Sequence, residues 1–193
     1  MKIHGEEKIK RSTSVIPQSD YKDYVPQLRE DFKYMCGYCG KMERVARKGF
    51  EPDHFVPKRI DSTREKDYSN LVYSCFTCNR KKLGKWPTKD KMKADDGKEG
   101  FVDPATEEYD KHLSRDESGK IMYHTNIGEY MYKKAFRFDI RPTKEIWQAN
   151  ELTRAKDKLQ AIKNELTEEI FKEYMELDIV LNELLLLLFD EKE

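Results

Sequence analysis

Apolar and polar positions alternate with several different periods along the chain. Tyr24, Leu28 and Phe32 recur every fourth residue between Asp20 and Tyr34, which predicts a short amphipathic helix with Pro26 tolerable in its first turn. Ahead of it, residues 1–20 are polar and read as an irregular arm. Between Val45 and Ile60 the residues predict a strand pair, because Gly49-Phe50-Glu51-Pro52 has turn character and His54-Phe55-Val56 is β-prone. After a polar loop from Asp61 to Ser69, Leu71-Val72-Tyr73 leads into Cys75-Phe76-Thr77-Cys78-Asn79, where a helix begins and continues through Lys82. Residues 88–100 have no apolar period and contain two glycines, so they read as an exposed loop and a weak boundary. From Phe101 to Arg141 aromatic and charged residues mix in short pieces, with a hairpin turn at Glu117-Ser118-Gly119-Lys120 before Ile121-Met122-Tyr123. Pro142-Thr143 then opens a long helical stretch. Leu152, Leu159 and Leu166 are seven apart, and Ile170, Tyr174, Leu177, Leu181, Leu184 and Leu188 continue in steps of four and three.

Composition qualifies this picture. Of 193 residues 38% are charged, yet 37 basic and 37 acidic side chains cancel. The hydrophobic fraction is 37%, below the usual range of about 45–50%, so the core must be thin for the length. An aromatic content of 11% argues against wholesale disorder. The first residues lack the apolar run of a signal peptide, and the longest apolar stretch, Leu184 to Phe189, falls far short of the roughly 20 residues that span a bilayer. No membrane association is therefore expected, and the chain reads as cytoplasmic. In that reducing setting four cysteines serve better as metal ligands than as disulfides.

Those cysteines form two CxxC knuckles, Cys36-x-x-Cys39 and Cys75-x-x-Cys78, separated by 35 residues. Each tight turn brings two thiolates to one ion, and four soft sulfur ligands suit a closed, structural tetrahedral zinc site. Bound zinc would also add folding free energy that a thin core lacks.

The order CGYC…PDHFVPK…NLVYSCFTCNRKK resembles the HNH endonucleases of the ββα-metal class, in the subgroup buttressed by a four-cysteine zinc. The resemblance covers residues 35–87 and implies an α+β fold: a ββα-metal finger flanked by helices, with a long C-terminal helical region. Four segments follow: an arm and helix (1–34), the nuclease core (35–87), a mixed extension (88–141) and a helical region (142–193). Hydrolysis of a phosphodiester needs an activated water, stabilisation of charge on the phosphate and help for the leaving oxygen. His54, the only histidine within the motif, has an intrinsic pKa of about 6.5 and suits the general base. Asp53 offers a hard oxygen ligand for catalytic Mg²⁺ or Mn²⁺. The resemblance implies that Asn79, where the family usually has His and sometimes Asn, is the second metal ligand. It also implies that Asn70 pins the loop beside the base. Lys82, one helical turn from Asn79, could meet a phosphate oxygen. His4, His112 and His124 lie outside the motif and are expected to have no catalytic role. The activity so implied is metal-dependent cleavage of DNA leaving 5′-phosphate ends; a zinc-stabilised binder without catalysis is the rival reading.

The neutral total hides segregation. Residues 41–93 hold 15 Lys/Arg against 7 Asp/Glu, a net of +8, whereas residues 165–193 hold 2 against 10, a net of −8. Lys58, Arg59, Arg80, Lys81 and Lys85 are candidate DNA contacts, suited to salt-sensitive binding with low sequence specificity. The run Leu184 to Phe189 is apolar all round and points to a protein partner or to self-association through the C-terminal helix, with a helix wedged into the chain's own core as the alternative. More broadly, DHFVPK, the second knuckle with LGKWP, and FVDP followed by the Gly119-Lys120-Ile121 turn resemble HNH effectors of prokaryotic anti-phage defence such as the Septu nuclease, which implies an ATPase partner.

Overall fold

The computed structural model describes residues 1–161 and 167–190. Leu166, the third member of the seven-residue series, and the side chain of Phe189 lie outside the described residues. After the arm, a 3₁₀ turn at Tyr21–Tyr24 runs into α1, Val25–Asp31, with Pro26 in its first turn where a missing N–H costs nothing. Leu28 is buried on α1 and Phe32 just beyond it, as the four-residue spacing predicts.

Strand β1, Phe50–His54, pairs antiparallel with β2, Leu71–Cys75, in a register that sets Asp53 opposite Val72 and His54 opposite Leu71. The strand pair expected within Val45–Ile60 therefore does not form; Glu43–Val45 is a 3₁₀ turn. All five residues of β2 are buried and offer β1 an apolar neighbour, whereas Arg47 and Lys48 are exposed cations unsuited to that position. Pro52 lacks a ladder donor, which a two-stranded sheet tolerates because each strand is an edge. Helix α2, Phe76–Lys82, follows β2 without an intervening residue. The result is a ββα unit with its two knuckles at the start of α2 and ahead of β1.

Downstream come α3, Tyr109–His112; a hairpin of β3, Leu113–Arg115, and β4, Ile121–Tyr123, turning where expected; and α4, Asn126–Glu129, which continues as one π-helical turn, Tyr130–Ala135. One core joins these parts. Ile3 of the arm, Leu28, Leu71, Trp86, Phe101, Leu113 and Phe138 belong to a single buried cluster. Rings supply much of it: Trp86 stacks on Phe101 with centroids 5.9 Å apart, and Phe101 meets Phe136 edge-on. Large aromatic surfaces thus compensate for few aliphatic residues. Arg115 is fully buried and fastens four segments, donating to the carbonyls of Ile3, Cys39, Gly119 and Thr143 while lying over the Trp147 ring.

The C-terminal region is two helices, α5, Thr143–Ala161, and α6, Glu168–Asp190. They run antiparallel, since Lys156 pairs with Asp178 while Leu181 and Leu188 pack with Ile146, Ala149 and Val45. Ile170, Tyr174, Leu177, Leu181, Leu184 and Leu188 are all buried or half-buried, so the four-and-three spacing marks the face laid against the protein. The leucine run divides accordingly: Leu184, Leu185 and Leu188 turn inward, whereas Leu186 and Leu187 are exposed. No helix among the described residues is long and apolar enough to cross a membrane.

Candidate active site

The four cysteine sulfurs lie within 4.8 Å of one another, and all four residues are buried. Sulfurs around a tetrahedral zinc with bonds of about 2.3 Å sit about 3.8 Å apart; the Cys39 and Cys75 sulfurs are 3.8 Å apart. The cluster therefore fits zinc. Local backbone chemistry shapes the first knuckle: the Cys36 N–H donates to the Lys41 carbonyl, the Gly37 N–H to Tyr73 of β2, and the Gly40 N–H back to Cys36. Gly40 has φ +66°, and a Cβ there would meet the Ile3 carbonyl oxygen at 2.5 Å, so both conformation and space require glycine. His4, outside the motif, is buried against this knuckle and donates from Nε2 to the Gly37 carbonyl at 2.8 Å.

Arg141 was not foreseen from the sequence. Its Nη1 lies 3.3 Å from Cys78 Sγ and its Nη2 3.9 Å from Cys39 Sγ. Burial disfavours its charge, but attraction to Cys78, Cys39 and Cys75 outweighs this and pushes its pKa further up. Four thiolates around a bound zinc would carry two net negative charges, part of which this guanidinium would offset.

His54 ends β1 with its ring packed edge-on to Tyr21, centroids 4.7 Å apart. Its Nε2 is 2.8 Å from the Glu65 carbonyl oxygen. A carbonyl only accepts, which assigns the proton to Nε2 and leaves Nδ1 a lone pair that meets no hydrogen-bond donor among the described residues. Burial, aided by the charges of Lys58 and Lys82, holds its pKa below 6.5 against the opposing pull of the Glu65 hydrogen bond and Asp53. Neutral imidazole therefore predominates at pH 7. Asn70 sets the loop that supplies the Glu65 carbonyl: its Oδ1 accepts from the Val56 N–H at 2.8 Å, while its Nδ2 donates to the carbonyls of Val56 and Arg64. The residue is buried, and all of its hydrogen bonds are to backbone groups.

Asp53 is also buried. Its Oδ2 accepts from the Tyr38 hydroxyl at 2.5 Å and pairs with the Lys82 ammonium at 3.0 Å. Lys82 further donates to the His54 carbonyl at 2.6 Å and is fully buried over Phe101. The sequence suggested a phosphate contact for Lys82, but the folded chain leaves its ammonium no surface and sets it against the Asp53 carboxylate and the His54 carbonyl. Burial and the Asp53 charge push the Tyr38 hydroxyl well above its ordinary pKa, so it stays protonated as a donor. Among the described residues no hydrogen bond reaches Asp53 Oδ1, which remains open to a ligand.

Glu51, two residues before Asp53, shares its strand face and accepts from Asn79 Nδ2 at 2.9 Å. Two cross-links, Glu51–Asn79 and Asp53–Lys82, thereby align one face of β1 with two positions a turn apart on α2. Glu51 was missed in the sequence, although the alternation of a strand would have found it. A pair of carboxylates with one amide suits Mg²⁺ or Mn²⁺, which keep several waters and need few protein oxygens.

The basic candidates separate by environment. Lys58, Arg59, Arg80 and Lys81 are exposed. Lys58 pairs with Glu65 and lies over Tyr21, Arg59 donates to the Gly84 carbonyl, and Arg80 lies over Phe76. Lys85 donates to the carbonyls of Lys134 and Ala135, tying the finger to the extension.

Residues 36–84, roughly a quarter of the chain, match the family model for HNH endonuclease. No curated protein and no solved structure matches the chain.

Proposed function

We propose that the protein is a metal-dependent endonuclease that hydrolyses phosphodiester bonds of DNA with low sequence specificity. The observation that carries this reading is the His54 ring, neutral near pH 7 and held by its Nε2–H so that Nδ1 can take a proton from water. Asn70 keeps that orientation by fixing the loop backbone on both sides of the hydrogen bond. Asp53 Oδ1, Asn79 and Glu51 would hold Mg²⁺ or Mn²⁺, which when bound stabilises charge on the phosphate and assists the leaving oxygen. Lys82 and Tyr38 keep the Asp53 carboxylate aimed by occupying its other oxygen. The cysteine zinc is structural in this scheme and anchors the end of β2 to the start of α2.

Exposed Lys58, Arg59, Arg80 and Lys81 support a salt-sensitive grip on the phosphate backbone. Four free thiols gathered as ligands support a reducing, cytoplasmic setting. A place in anti-phage defence beside an ATPase is supported by the resemblance of DHFVPK and the second knuckle to such effectors, and a neighbouring ATPase gene would test it. For the activity itself, purified protein is incubated with plasmid and Mg²⁺ or Mn²⁺. Nicking or linearisation that disappears in His54→Ala is expected; cutting that persists unchanged would overturn the assignment of the base.

A further inference from the structure

We propose that the outward face of α6 docks an amphipathic helix from a different protein, one whose apolar stripe is bordered by Lys or Arg. The inference is independent of the nuclease reading. The inward face of α6 is already covered by α5 and Val45, yet a second apolar line remains outside: Phe171 is 56% exposed, Met175 43%, Ile179 55% and Leu186 64%. At 3.6 residues per turn these four positions fall within about 80° of arc and extend along about 22 Å of helix. Phe171, Met175 and Ile179 follow the i, i+4 pattern of helix-in-groove recognition, and Leu186 comes seven residues on, past Asn182 in the same arc.

Charge selects the occupant. Glu169, Glu176 and Glu183 recur every seven residues along one border, are exposed, and form no ion pair among the described residues. The opposite border presents Asp178, already paired with Lys156; exposed Asn182 sits within the arc and donates to Asp178. Lys172, on the same border as the three glutamates, is the only cation in residues 167–190, against seven acidic residues. A second copy packed antiparallel would set glutamate row against glutamate row. Packed parallel, it would set the row against a border with no free cation. Like charges so placed oppose association, and the same field disfavours nucleic acid or an anionic membrane. A partner helix with basic borders meets both the apolar line and the glutamates.

Two synthetic helical peptides of about 20 residues, matched to the stripe length, provide the probe. Both carry Leu at the first and fourth position of each heptad; one has Lys at the bordering positions and its twin has Glu. Fluorescence anisotropy with the full chain should show the Lys peptide binding about tenfold or more tightly than its twin, with the advantage shrinking as sodium chloride rises. Phe171→Ser with Ile179→Ser should weaken the Lys peptide about tenfold, as expected for loss of central apolar anchors. Glu176→Lys with Glu183→Lys should reverse the preference between the twins, a gain that non-specific adhesion of a cationic peptide cannot produce. Equal binding of both peptides, or no reversal in the charge variant, would overturn the proposal. A dimer of the full chain in light scattering that the Ser variant dissolves would overturn it too, in favour of a second copy.

Discussion

The ammonium of Lys82, with no exposure to solvent, lies 3.0 Å from Oδ2 of Asp53. A buried pair of this kind is costly to break from one side, because the remaining charge is left in a poorly polarisable interior. Lys82→Met should therefore lower unfolding free energy by about 3–5 kcal/mol, read as a shift of the urea midpoint. Asp53→Asn should lose both stability and metal-dependent cutting, since the amide leaves Lys82 uncompensated and offers a weaker ligand. A Lys82→Met protein as stable as the parent would show that the pair contributes nothing.

The pH profile of cutting follows from His54. With His54 as the proposed base the active form is the neutral ring, and burial, ahead of the cations Lys58 and Lys82, keeps its pKa below 6.5. Activity should therefore rise with pH through a midpoint below 6.5 and be level at pH 7. His54→Ala should reduce kcat about 10²–10⁴-fold. Lys58→Ala, by removing one of the cations that oppose protonation, should move the rise to higher pH.

Asn70→Ala removes three hydrogen bonds to the loop around His54. Each buried backbone group left unpaired costs about 1–3 kcal/mol. The variant should melt earlier and, on the proposed role of Asn70 in orienting the base, lose kcat with little change in KM. An altered KM with unchanged kcat would instead place Asn70 in substrate binding.

Zinc retention should depend on Arg141 as well as on the cysteines. Elemental analysis should find about one zinc per chain, as a four-thiolate tetrahedral site requires, and Cys75→Ser should abolish it. Arg141→Gln keeps the four ligands but removes the cation beside Cys78 and Cys39. Its zinc should pass to a chromogenic chelator faster than that of the parent. Equal release rates would show that the guanidinium has no influence on the site.

Much of the finger was legible because local chemistry dictates it. Two CxxC turns are short-range signals that mark four ligands for one ion wherever the turns meet, and the four-and-three apolar steps in α6 have one solution, a helix with that face inward. The strand pairing was misjudged because Gly49-Phe50-Glu51-Pro52 has the residues of a turn. Which partner a strand takes depends on distant apolar surface, here β2, and propensity carries no information about it. Lys82 was misread for a related reason. A lysine in a basic run is ordinarily solvated, and only the packing of Phe101 and Tyr38 around it makes it internal.

By itself, then, the sequence determined the metal-ligand spacing, the adjacency of Asp53 and His54, the helical periods and the segregation of charge, all properties set by residues near one another along the chain. The tertiary structure decided the rest: the tautomer of His54 through Glu65, the anchoring of Asp53 by Tyr38 and Lys82, the guanidinium of Arg141 against the thiols, and the division of the leucine run between core and surface. Each of these joins groups from separate segments, and their energies come from burial and geometry that exist only once the segments have packed together.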